Sequence, residues 1–295
     1  MPPAVLRITA NQLLAEHTYK ALFEIFAAHG IDHLLLKGPH LGAIAYDNSW
    51  DRQYCDLDIL VRPEQYQEAV GTLLLSDFRW VDTPRNRPAT MKIYYNQAFQ
   101  SPTGWTIEVH RELAGYGQFH VKPAALFDRS VEFQFGKTRA RGLALEDLLM
   151  HLVIHAAKGH CRNIEEKHVM DIARLVVRQE VNWDVYVQRA REAGCVTASW
   201  VMFQAARHIY SAPIPDRVLA DSRPSPLRRV WLAGVLTTRS FPLFRMQWLP
   251  LGVGRLLVMP ALIDRFRDAM ACGFGYSRLR LLDWAGRFAP GPGEN

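Results

Sequence analysis

Asp56-Leu57-Asp58-Ile59-Leu60-Val61 sets two carboxylates into an otherwise apolar run of six residues. Such a run predicts a buried β-strand. Side chains alternate along a strand, so Asp56 and Asp58 share one face while Leu57 and Ile59 face the other way. Two carboxylates this close repel and raise each other's pKa unless a cation lies between them. A divalent ion with oxygen ligands, Mg²⁺ above all, is the usual resolution. A bare D-x-D is also met as one strand-end Asp beside a solvated one, so the weight falls on what surrounds it.

Two further elements bear on the pair. Upstream, the apolar run 31–36 is closed by Lys37-Gly38-Pro39. A strand that ends so, just before a short helix, leaves backbone N–H groups and a helix N-terminus free to hold an anion. Lys37 adds a point charge suited to phosphate. Downstream, in Trp105-Thr-Ile-Glu-Val-His110, Glu108 shares a face with Thr106 and His110. If that strand lies beside the Asp56 strand, three carboxylates converge, as they do where two metals run phosphoryl or nucleotidyl transfer.

Periodicity organises the rest. Thr9 is expected to cap a helix that ends at Gly30, residues 41–46 to form a short helix, and Pro63 to open another. Residues 78–81 predict an edge strand, 84–88 a polar loop, and 91–99 and 105–110 two strands joined at Ser101-Pro-Thr-Gly104. Residues 131–139 predict one more strand. Helical periodicity then takes over, across 145–158, 169–177, 183–193 and 197–210. The fold class is α+β: a small mixed β-sheet with flanking helices over 1–140, an α-helical domain over 141–211, and an Arg-rich, aromatic helical extension over 212–295. The Pro- and Ser-rich stretch 211–226 reads as a linker.

Composition narrows the classes. The chain has 295 residues, 49% of them hydrophobic, ample for a real core. No uninterrupted apolar run approaches the ~18 residues of a spanning helix, and the N-terminus carries no secretory pattern. Cys55, Cys161, Cys195 and Cys272 lie far apart with no C-x-x-C pair. A disulfide framework is therefore not expected, and a reducing cytoplasm fits. The net charge is +6, and its whole surplus lies after residue 211, where 12 Arg meet 6 acids. That distribution argues against a nucleic-acid binder. It suits a local surface for something anionic, a membrane face or a partner, and the apolar tail would suit a homodimer or protein contact.

The order Lys37-Gly38, then Arg52-x-x-Cys55-Asp56-Leu57-Asp58-Ile59-Leu60-Val61, then Glu108-Val109-His110 resembles the uncharacterised bacterial nucleotidyltransferase family of the DNA polymerase β-like superfamily. Leu145-Glu146-Asp147-Leu148-Leu149 with His151 and His155, Asp171-Ile172-Ala173-Arg174, and Trp183 resemble the helical half of that family. The resemblance implies metal-dependent transfer of NMP from an NTP, ATP among them, to a hydroxyl or similar group of a small-molecule, peptide or protein acceptor, with Mg²⁺ or Mn²⁺. Asp56 and Asp58 carry over as metal ligands and Glu108 as the third carboxylate, where Asp is commoner. Lys37 and Gly38 carry over as the turn facing the nucleotide phosphates, without the Ser of the wider superfamily, and Arg52 as a phosphate contact. Cys55 replaces a small hydroxyl residue and takes no role. The alternative is a catalytically weak or inactive binding protein of the same fold, a partner in a natural-product pathway. The presence of all three acids favours the enzyme.

On the helix from Leu145, the residues Asp147, His151, His155 and Lys158 fall on a different face from the apolar stripe. Two readings stand: this face borders the cleft and, with His110, meets phosphate or acceptor, or it is solvated. His151 and His155, with His160 and Cys161 nearby, have metal-ligand spacing but no H-E-x-x-H, so zinc is the weaker reading. Asp171 is expected to pair with Arg174, and Tyr94, Tyr95 and Trp105 to pack on the sheet. The tail is expected to dock on the helical domain with its arginines exposed.

Overall fold

The computed structural model describes residues 3–81, 94–159, 166–236, 259–272 and 278. Seven strands form one mixed sheet: β1 (His33–Leu35), β2 (Asp56–Val61), β3 (Arg79–Trp80), β4 (Asn96–Gln100), β5 (Thr106–His110), β6 (Val131–Phe135) and β7 (Thr138–Gly142). Their order is β3-β4-β5-β2-β1-β7-β6. The central pair β2 and β5 runs parallel, whereas β1 meets β2 antiparallel. The helices are α1 (Pro3–Ala28), α2 (Gly38–Ala45), α3 (Tyr66–Leu75), α4 (Pro123–Asp128), α5 (Leu145–Gly159), α6 (Glu166–Arg178), α7 (Trp183–Ala193), α8 (Val196–Tyr210), α9 (Asp216–Asp221), α10 (Pro226–Leu236) and α11 (Phe266–Met270).

Strand alternation divides the core in two. Leu35, Leu57, Ile59, Val61, Ile107 and Val109 pack on α1 and α3 through Tyr19, Leu22, Phe26 and Leu73. Leu34, Leu36 and Leu60 face the other way and join the larger cluster built by α5 to α8. The carboxylates of β2 have the same parity as Leu60, so they lie on the face that the helical half covers. The sheet itself continues to Gly142, which pairs with Leu35.

Four expectations are corrected. The first helix begins at Pro3, where a missing N–H costs nothing, and Thr9 lies inside it. Residues 131–139 are not one strand: the chain turns back at Gly136, whose φ of 58° suits a two-residue hairpin turn. The stretch 211–226 is no linker, because Ala212, Ile214, Val218 and Leu219 are buried and α9 forms within it. Asp171 does pair with an arginine, but with Arg52 at 2.9 Å, while Arg174 lies over the Tyr46 ring. The 84–88 loop, residues 91–93 and most of the tail lie outside the described residues. The described part of the tail does dock: Met259, Ala261, Leu262 and Ile263 are buried, and Asp264 accepts from the Thr197 N–H at the start of α8.

Arg52 ties the loop before β2 to the helical half. Its Nε lies 3.0 Å from Asp171 Oδ2, and the Tyr46 hydroxyl donates to Oδ1 of the same, almost inaccessible carboxylate. Arg52→Met leaves that buried charge half paired and is expected to cost about 3–5 kcal/mol, read by urea unfolding. A loss below about 1 kcal/mol, the range of an exposed pair, would contradict this.

His33 is buried beneath Tyr19, Phe23 and Phe26 of α1, and burial pushes its pKa down to about 4. The folded state therefore resists the proton that the unfolded state takes up near pH 6.5, and stability from this group falls as pH drops. The stability advantage of wild type over His33→Gln is expected to shrink by about 2 kcal/mol between pH 7 and pH 5. Urea midpoints of both proteins at the two pH values measure it, and a constant gap would contradict it.

Candidate active site

The register of β2 against β5 builds the site. Asp56 pairs with Thr106, Asp58 with Glu108 and Leu60 with His110. On the far side of β5, Asn96 stands opposite His110 and Ala98 opposite Glu108. All these side chains share one face. On the other flank, the Leu36 N–H bonds the Asp58 carbonyl at 2.9 Å. The chain then leaves the sheet, and the Lys37 side chain returns to place Nζ 2.7 Å from Asp58 Oδ2.

A compact polar cluster results. His110 Nε2 lies 3.0 Å from Asp58 Oδ1 and 3.4 Å from Glu108 Oε2. Asn96 Nδ2 donates to Glu108 Oε2 at 2.6 Å. Burial alone would raise the Asp58 carboxyl, but the Lys37 ammonium and the His110 hydrogen bond hold it well below the usual range. The His110 hydrogen bond likewise holds Glu108 low. Burial opposes charge on His110 and on Lys37, yet the facing carboxylates win and raise both. Asp56 is the exception: burial, and then the Asp58 charge, push its carboxyl up. The Lys37 and His110 charges do not offset these two effects, and a further cation beside Asp56 would favour its ionised form.

Donor atoms of Asp58, Glu108 and His110 all lie within 4.8 Å of one another. Two carboxylates so placed suit a divalent ion with oxygen ligands, Mg²⁺ or Mn²⁺. The residues fit a metal. His110, placed from sequence on the acceptor side, belongs to the carboxylate cluster. The signal was its shared face with Glu108, two residues away on one strand.

The other expected residues are distributed as follows. Gly38 opens α2, and a Cβ there would stand 3.2 Å from Tyr54 Cγ, so it admits a close ring. Arg52 is committed to Asp171 and to the Gln53 carbonyl, away from a phosphate role. The Asp147 face of α5 is not solvated: Asp147 is fully buried between Arg129 and Arg189, and His151 is buried as well. The His155 ring lies 6.0 Å from that of His151 and 5.2 Å from that of His168, on the helical half. The Lys158 side chain and the residues His160 and Cys161 lie outside the described residues. Tyr95 has its ring 5.7 Å from His110, beside the cluster. Among the described residues no helix is long and apolar enough to cross a membrane.

Comparison with known proteins gives the following. A lincosamide antibiotic adenylyltransferase, solved with lincomycin bound, aligns at 14% identity over 54% of this chain and 94% of its own, with a TM-score of 0.37. The antibiotic-resistance factor ANT(2'')-Ia aligns at 10% identity over 67% of this chain and 94% of its own, with a TM-score of 0.40. An antigenic nucleotidyltransferase-like protein from Paracoccidioides brasiliensis aligns at 14% identity over 70% of this chain and 90% of its own, with a TM-score of 0.37. No curated protein sequence matches the chain. Residues 2–211 match a nucleotidyltransferase family as yet uncharacterised, and they span Lys37, the Asp56–Asp58 pair, Glu108 and the helices that cover them. The chain belongs to that family of uncharacterised nucleotidyltransferases.

Proposed function

We propose that the protein is a metal-dependent nucleotidyltransferase of the polymerase β-like kind, moving NMP from an NTP to a hydroxyl or similar group of a small-molecule, peptide or protein acceptor. The observation that carries this reading is the in-register pairing of Asp58 with Glu108, with Asp56 on the same face two residues away. Residues 1–140 are the catalytic part, 141–211 the helical part, and 212–295 an extension whose described residues 259–263 pack on it.

Asp56, Asp58 and Glu108 hold the divalent ion, Mg²⁺ or Mn²⁺, and His110 orients the last two through its hydrogen bonds. When bound, the ion neutralises phosphate charge and makes the acceptor oxygen more acidic. Lys37 sits on Asp58 and meets the nucleotide phosphates as a point charge, beside the N–H groups at the start of α2. Glu108, kept ionised by His110, accepts the proton of the acceptor hydroxyl at a carboxylate oxygen. The oxygen so freed bonds to the α-phosphorus as the bond to pyrophosphate breaks. The protein's part is positioning and charge stabilisation, with no covalent intermediate.

The test is thermal unfolding with each of the four NTPs, with and without Mg²⁺. An NTP at one hundred times its dissociation constant stabilises by about 2.7 kcal/mol, which raises Tm by about 4–5 °C at an unfolding entropy of about 2.1 cal/mol/K per residue. That shift should require Mg²⁺ and vanish in Asp58→Asn while the circular dichroism of the variant stays native. An equal shift in both proteins would overturn the metal-site assignment. A shift independent of Mg²⁺ would point instead to a nucleotide-binding protein without turnover.

A further inference from the structure

A cavity of about 410 Å³ is bounded by the chain leading into α4, by α4, α5 and α7, and by Arg265 of the tail. That volume is in the range of small-molecule sites. None of its lining residues belongs to the carboxylate cluster.

The charge of its lining is one-sided. Lys122, Arg129, Arg189 and Arg265 face a single lining carboxylate among the described residues, that of Glu192. Arg129 and Arg189 share the buried Asp147. Arg129 gives Nε and Nη2 to its two oxygens at 2.8 and 3.0 Å, and Arg189 Nη1 lies 3.1 Å from Oδ2. Glu146 stands 3.6 Å from Arg189 Nη1, beyond hydrogen bonding, and accepts from the Asn182 N–H at 3.0 Å. Two guanidinium charges thus close on one carboxylate behind this wall. Their side chains nevertheless keep 35% and 18% of their surface accessible. Lys122 and Arg265 are exposed. Arg265 Nη2 donates at 2.6 Å to the Glu192 carbonyl, a neutral group, and the Glu192 carboxylate accepts from the Gln188 amide at 3.0 Å. His120, also on the lining, is 2.9 Å from Asp268 and adds no net charge. Val121, Ala125, Met150 and Ala193 give the cavity an apolar wall. The positive surplus of the sequence lies after residue 211, and Arg265 brings part of it here.

We propose that this cavity binds a small organic anion, a phosphate or carboxylate group carried on an apolar body. Lys122, Arg265 and the accessible sides of the two clamped guanidinium groups recognise the charged group, and the apolar wall takes the body. Asp147 holds Arg129 and Arg189 in place beforehand, so binding has little side-chain freedom left to remove there. The cavity is a second binding site, apart from the Lys37-Gly38 turn proposed for the nucleotide phosphates.

The experiment contains neither NTP nor Mg²⁺, so its outcome is independent of the carboxylate site. Protein labelled with ¹³C at the methionine methyl groups is titrated with phenyl phosphate, benzoate and benzyl alcohol at millimolar concentration. The Met150 resonance is identified by its loss in Met150→Leu. The expected result is a saturable shift of that resonance with phenyl phosphate, benzoate or both, and none with benzyl alcohol, which has a like ring and no charge. The tighter of the two anions identifies the charged group. The double variant Lys122→Gln, Arg265→Gln should weaken binding about tenfold, whereas Lys37→Gln should leave it unchanged. Both substituted positions are exposed, while removing Arg129 or Arg189 would strand the buried Asp147 charge. If the double variant fails to fold, Lys122→Gln alone makes the comparison, at about threefold. The proposal is overturned if neither anion moves the Met150 resonance, if benzyl alcohol moves it equally, or if the variants bind as wild type does. A loss in Lys37→Gln as large as that in the double variant would place the anion at the turn before α2 and overturn it as well.

Discussion

Carboxylates held side by side on neighbouring strands, shielded from water, require positive charge between them. The parallel pairing of β2 with β5 creates that requirement by setting Asp58 opposite Glu108. The chain meets it twice from within, with the Lys37 ammonium on one side of Asp58 and the His110 imidazole on the other. Much else in this half of the molecule follows. β1 stops at Leu35 so that Lys37 can turn back, and Ala98 opposite Glu108 keeps that part of the sheet face clear while Asn96 reaches across to its carboxylate. Asp56 is left with its carboxyl pushed up, by burial first and then by the Asp58 charge, in spite of the Lys37 and His110 charges nearby. In the proposed reaction, a divalent ion would supply the positive charge that is still missing there.

The helical half is attached through buried charge as well as through apolar packing. Asp171 is clasped by Arg52 and Tyr46, and Asp147 by Arg129 and Arg189. Asp264, from the tail, accepts from the first N–H groups of α8 and from Arg228. Such pairs add little net stability compared with apolar residues of the same volume, but breaking one side is costly. They fix which surfaces meet. The loop that carries Arg52 leads straight into Asp56, so the placement of the helices and the placement of the carboxylates are mechanically one problem.

The central strand was legible to the residue, because six apolar or alternating positions bounded by polar ones leave little choice of register. The convergence of Glu108 on Asp58 follows from parity, given that the two strands are neighbours. The partner of Asp171 was not legible. Helical spacing suggests Arg174, whereas the true partner lies 119 residues away and is set by tertiary packing. The same limit hid the burial of Asp147, whose arginines come from the end of α4 and from α7. Residues 211–226 misled through composition: their prolines and serines suggest a linker, but Ile214, Val218 and Leu219 supply enough apolar surface to seat them on the helices. Strand alternation puts His110 beside Glu108 on the carboxylate face, but its hydrogen bond to Asp58 depends on the pairing of β2 with β5.

The most direct test of the carboxylate site is Mn²⁺ binding followed by electron paramagnetic resonance, in the presence of a non-hydrolysable NTP analogue. Wild type should remove the signal of free Mn²⁺ saturably. Glu108→Gln, which keeps the shape and discards the charge, should weaken that uptake at least about tenfold, or 1.4 kcal/mol. Equal Mn²⁺ uptake by the two proteins would contradict the claim that the pairing of β2 with β5 exists to hold a metal.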